Sequence, residues 1–145
     1  MKITKFLLAL MASISFLVSA NVFADEHSIN AQAREYKPDM VYMPLGDTVN
    51  FQNMTSHNSV TYVKPEGSAG WGEHGVLPGG SLSVTPDKEG IYGYVCEPHI
   101  GFGMAGVVVV GNVTQEMKDA AMADAMKLQG PFRRLIGKIK KVEVK

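Results

Sequence analysis

Ahead of Gly111 the chain runs as short stretches rich in Val, Ile, Tyr and Thr, punctuated by Gly, Pro and Asp. That rhythm predicts a β-sandwich, and no helix-period spacing competes with it there. Strands are predicted over 28–33, 40–43, 48–53, 59–63, 81–85, 90–96 and 106–110. In the third of these, Thr48-Val49-Asn50-Phe51-Gln52-Asn53 alternates, so Val49 and Phe51 are expected on the core face. Val107 to Val110 is apolar throughout, as expected of a strand covered on both faces. Between the strands, 64–80 holds too many Gly and Pro residues for regular structure and reads as a long surface excursion. Trp71 is expected to anchor it by packing, with His74 solvated.

After Gly111 the period changes. Asn112 with Gln115 three residues on reads as a helix start, and Met117, Ala121, Ala125 and Leu128 follow at helical spacing, predicting a helix that ends at Gly130. Pro131 then opens a second helix in which Phe132, Leu135, Ile136 and Ile139 share one face, weakened by Gly137. The fold class is therefore mainly β, a sandwich with two C-terminal α-helices.

The amino terminus reads Met1-Lys2-Ile3-Thr4-Lys5 and then mostly apolar from Phe6 to Val18, a signal-peptide pattern too short to span a bilayer comfortably. Cleavage after Ala24 makes 1–24 the leader, with a cut after Ala20 as the competing choice; either implies export, and the periplasm is the expected compartment. The mature chain of 145 − 24 = 121 residues suits one domain. Within it, 25–111 is the sandwich and 112–145 a helical extension packed on it.

Net charge is +0, but it is unevenly spread. Counting along the sequence, residues 25–126 hold 5 basic and 13 acidic residues, whereas 127–145 hold 7 basic and 1 acidic. An acidic exported domain argues against nucleic acid as a partner. The basic tail is expected to dock on its own sandwich rather than insert into a membrane.

The chain's single cysteine cannot form an internal disulfide, so it is an inert thiol, an intermolecular pairing site or a ligand. Its neighbours decide. Cys96, two residues, His99, four residues, Met104 puts a thiolate, an imidazole and a thioether within nine positions. Soft sulfur suits Cu(I) and imidazole suits both copper states; two imidazoles, one thiolate and a weak axial Met form a blue-copper site. Thr55-Ser56-His57-Asn58-Ser59 offers the second imidazole. Zinc accepts Cys and His but has little use for Met and does not change redox state. The candidate metal ligands are thus His57, Cys96, His99 and Met104, for one copper ion. No catalytic residues stand out: beyond the proposed ligands the mature chain has only His27 and His74, too few for multicopper chemistry.

Pro44-Leu45-Gly46-Asp47-Thr48-Val49-Asn50-Phe51, His57-Asn58, and Gly90 through Met104 together resemble the cupredoxins, and among them the pseudoazurin type of blue copper protein. The resemblance runs from roughly Met40 to Gly111, with a weaker match in the tail. It implies a monomeric periplasmic carrier of single electrons, serving transient partners such as a copper nitrite reductase, another respiratory oxidoreductase or a cytochrome. It also implies that Asn58 hydrogen-bonds across to the loop carrying Cys96. A copper storage or delivery protein is the alternative. Two positions depart from the type: Val95 stands where a lysine is usual, and Glu97 where a small hydroxyl residue is usual. Glu97 is expected to point outward into solvent, because an unpaired carboxylate is costly to bury.

Overall fold

The structure, a computed structural model, describes residues 25–145; the leader expected over 1–24 lies outside them. Eight strands form two four-stranded sheets. The first has the order β2-β1-β4-β6, from β1 (Glu26–Gln32), β2 (Glu35–Lys37), β4 (Thr48–Gln52) and β6 (Ser81–Val84). The second has the order β3-β8-β7-β5, from β3 (Met40–Met43), β5 (Val60–Val63), β7 (Gly90–Val95) and β8 (Ala105–Val110). β1 runs parallel to β4 and β3 parallel to β8, while the other neighbours are antiparallel.

The seven predicted strands are all present, and β2 is an eighth that the pattern did not announce. Three residues are too few to show alternation, and only Tyr36 in it is buried. The core between the sheets takes Ile29, Val49 and Phe51 from one side and Tyr92, Tyr94, Val108 and Val110 from the other. Trp71 joins it as an anchor for the 64–80 excursion, with its indole N–H donating to the Ser59 hydroxyl at 2.9 Å and its ring stacked on Tyr92 at 5.3 Å.

A second apolar cluster lies on the outer face of the second sheet. There Ile91, Val107 and Val109 meet Ala121 and Ala125 of α1 (Gln115–Lys127) and Leu135 and Ile139 of α2 (Arg134–Lys140). This covering is why β7 and β8 are buried at every position. Burying each of the larger side chains contributes about 1.5–3 kcal/mol. α2 comes close because Gly93 has no side chain: a Cβ there would lie 3.2 Å from Leu135 and from Val63.

Helix ends differ from expectation. The cap of α1 is Thr114, whose hydroxyl accepts from the Met117 amide at 3.3 Å, two residues later than the predicted Asn112. The helix stops at Lys127 rather than Gly130, and Pro131 opens a 3-10 turn, Gly130–Arg133, ahead of α2. The basic tail docks on the acidic sandwich through an ion pair between Lys138 and Asp39. Lys118 ties the two helices by donating to the carbonyls of Lys140 and Val142. No helix among the described residues is long and apolar enough to cross a membrane.

Candidate metal centre

β7 ends at Val95, and the chain turns at Cys96 into a 3-10 helix, Glu97–Phe102, before β8 carries it back. Pro98, in the first turn of that helix, lacks the N–H that would have no partner there. The loop closes on itself: the Cys96 amide donates to the Met104 carbonyl at 3.0 Å, and the His99 amide to the Cys96 carbonyl at 3.1 Å. Gly103 ends the helix at φ 90, a left-handed conformation that favours glycine. Gly101, by contrast, has no positive φ and open space where a Cβ would stand. Gly106 is required for another reason, because a Cβ on it would lie 2.2 Å from the Tyr94 hydroxyl packed over the strand.

His57 arrives from the turn between β4 and β5, where its amide donates to the Met54 carbonyl at 3.2 Å. Its Nδ1 lies 3.6 Å from the Cys96 sulfur, and the Nδ1 of His99 lies 3.3 Å from the same atom. The donor atoms of His57, Cys96 and His99 all fall within 4.8 Å of one another. Metal–nitrogen bonds of about 2.0 Å and metal–sulfur bonds of about 2.3 Å put trigonal donors about 3.5–4 Å apart, so this spacing suits a metal between them. Met104, predicted as the fourth ligand, is fully buried in the same cluster as Cys96.

Burial pushes the Cys96 thiol up, partly offset by the Asn58 and His99 amides and the Tyr36 hydroxyl. A bound cation reverses this, since a coordinating thiol gives up its proton. His57 is pushed down, by burial first and then by the neighbouring His99, which favours the neutral imidazole that a metal needs.

Asn58 makes the cross-link expected of it. Its side-chain oxygen accepts from the Glu97 amide at 2.7 Å, while its side-chain nitrogen donates to a Glu97 carboxylate oxygen at 2.8 Å. Tyr36, on the unpredicted strand β2, buttresses this turn by donating to the Asn58 carbonyl at 2.5 Å.

Glu97 corrects the sequence reading. Its side chain is only 17% exposed and turns inward, bonded by Asn58, Tyr62, His74 and the Gly75 amide. Burial alone would raise its carboxyl, but those hydrogen bonds outweigh it and hold it at about 2. The same contact pushes the Tyr62 phenol up, burial acting first and the Glu97 bond and charge second. His74 is largely exposed, as expected, but it is tied to Glu97 at 2.8 Å rather than free. His27 lies apart from the centre, with its Nε2 2.8 Å from Asp47.

The comparisons with known proteins agree with this centre. A family model described as copper binding proteins, plastocyanin/azurin family, matches residues 24–111. A pseudoazurin of Paracoccus pantotrophus is 30% identical over 125 residues, 80% of this chain and 84% of its own length. A chloroplastic plastocyanin of Tetradesmus obliquus is 31% identical over 109 residues, 69% of this chain and 74% of its own. The crystal structure of pseudoazurin from Methylobacterium extorquens shares the fold at a TM-score of 0.64 and 25% identity, covering 82% of this chain and 100% of that one. The three donors fit the ion those names imply: a thiolate and two imidazoles within reach of one another can hold copper. The chain belongs to the copper-binding plastocyanin/azurin family, and with it to the cupredoxins, electron carriers rather than enzymes.

Proposed function

We propose that His57, Cys96, His99 and Met104 hold a single copper ion, and that the protein carries one electron at a time between redox partners in the periplasm. The observation that carries this reading is the convergence of the two imidazole nitrogens on the Cys96 sulfur, at 3.6 and 3.3 Å, within a buried frame. Bound copper would supply the Cu(I)/Cu(II) couple. The chain's part is to hold the donors: Asn58 fixes the His57 turn against the ligand loop, and the core keeps water from Cys96 and Met104. The leader expected over 1–24 supports the periplasm, and the 25–111 and 112–145 segments act together as one unit.

Exchange of the electron is assigned to the His99 edge. His99 is half-buried, and its ring lies 6.5 Å from that of Phe102, which is 60% exposed. Arg34 sits 4.2 Å over the Phe102 ring, and Arg133, Arg134 and Lys141 stand around the adjoining hollow. A small apolar patch with a basic border suits a brief encounter with an acidic-faced partner such as a copper nitrite reductase, another respiratory oxidoreductase or a cytochrome.

A visible spectrum of the Cu(II)-loaded protein tests the centre. An intense thiolate band with reversible one-electron redox is expected. A colourless protein that takes up several Cu(I) ions would replace this reading with copper storage or delivery. Phe102→Glu should slow electron exchange with the partner, and Arg134→Glu with Lys141→Glu should flatten its salt dependence.

A further inference from the structure

Glu97 follows Cys96 directly, and its carboxylate gathers segments that are far apart in the sequence. One oxygen receives the Tyr62 hydroxyl at 2.6 Å and His74 Nδ1 at 2.8 Å. The other receives the Asn58 amide at 2.8 Å and the Gly75 backbone N–H at 2.7 Å. Tyr62 in turn packs on Phe132 of the C-terminal extension, with ring centroids 4.6 Å apart. The long excursion, strand β5 and the His57 turn therefore meet at one side chain, and the extension packs on Tyr62 behind it.

We propose that Glu97 is a positioning residue of the metal centre: its carboxylate latches the 64–80 excursion, Tyr62 and the Asn58 side chain to the ligand loop, and so fixes how the Cys96 thiolate is presented. The proposal rests on the copper reading above. It does not follow from the Asn58 cross-link alone, because that bond would survive through the Glu97 backbone amide whatever side chain stood at 97.

The two oxygens are not equivalent. Asn58 cannot reverse its amide, since its oxygen is already engaged by the Glu97 N–H, and the Gly75 N–H can only donate. The oxygen facing them must remain an acceptor. The other faces a hydroxyl and an imidazole, and both of those can turn from donor to acceptor. A glutamine therefore fits in one orientation, with its oxygen toward Asn58 and Gly75 and its NH2 toward Tyr62 and His74. Glu97→Gln removes the charge and keeps the latch, whereas Glu97→Ala removes both.

The experiment compares the Cu(II) spectrum, reduction potential and rate of copper loss to a chelator in wild type, Glu97→Gln and Glu97→Ala. Both variants should raise the potential, as both remove a negative charge. Only Glu97→Ala should also redistribute the thiolate band and release copper about 10-fold faster or more, the scale of losing an outer partner of a metal ligand. If the two variants match each other in spectrum and release, charge alone acts and the latch is overturned. Should Glu97→Ala fail to fold, Tyr62→Phe with His74→Ala removes two donors and keeps the ring on Phe132. An unchanged spectrum and release rate there would also overturn the latch. A wild-type protein without the thiolate band would remove the copper reading and the latch with it.

Discussion

The two sheets meet water differently. Along β1 and β4 buried positions alternate with more exposed ones, so the sheet they carry has a core face and a solvent face. β7 and β8 have no exposed position, because the core lies on one side and α1 and α2 on the other. Cys96 and Met104 hang from the second sheet, on the turn between its two most enclosed strands. On the proposed copper reading, donors that must stay in place while charge comes and goes need a frame with no soft side, and the C-terminal helices cover the outer face of the sheet that carries them. The extension therefore belongs to the centre's support and is more than a charged appendage.

The sharpest break is chemical. Cys96→Ala should abolish the visible thiolate band outright, checked by titrating the variant with Cu(II). A band that survives would place the metal elsewhere. Next, Leu135→Ala should cost about 2–5 kcal/mol, as for other fully buried leucines, because Leu135 is 0% exposed and seated on Gly93. Ser83→Ala, on the solvent face of the first sheet, should fall within about 0.5 kcal/mol. Urea unfolding of the metal-free proteins measures both, and equal costs would erase the contrast between the sheets.

Asn58→Ala should cost about 1–3 kcal/mol by leaving the Glu97 amide without its acceptor, and it should alter the copper spectrum. A spectrum identical to wild type would detach Asn58 from the centre. The mildest test concerns the first sheet at low pH. A bond from His27 first, then the Asp25 amide, hold the Asp47 carboxyl below its usual range against the opposing effect of burial. A depressed folded value contributes stability that is present above the unfolded value, about 3.9, and is lost as pH falls through the folded one. Wild type should therefore lose more stability than Asp47→Asn between about pH 5 and pH 2, read as the change in midpoint of urea unfolding. Parallel loss in both would show that the Asp47 contact contributes nothing.

Much of this was legible in the sequence, and what was not has physical reasons. Val49 and Phe51 declared their face by alternation, and both are fully buried. Leu135 and Ile139 declared theirs by helical spacing and are equally buried. Candidate donors could be named because thiolate, imidazole and thioether are rare together at short spacing, and the structure brings three of them, His57, Cys96 and His99, within reach of one another. Glu97 was misread because its cost of burial is local while its compensation is not. Tyr62, Gly75 and His74 lie 35, 22 and 23 residues away, and no pattern in the chain ties them to it. Tyr36 was missed for a similar reason, since its hydroxyl partner, the Asn58 carbonyl, is 22 residues on.

The strand pairing also leads us to expect an order of events in folding. β7 and β8 form a hairpin from neighbouring sequence, so the turn bearing both sulfurs can close early and locally. β3, made much sooner, has β8 as its neighbour in the sheet and must wait for almost the whole sandwich to follow. A chain synthesised from its amino terminus thus keeps Met40–Met43 unpaired until late, and the slow step should be that long closure rather than the shaping of the ligand turn.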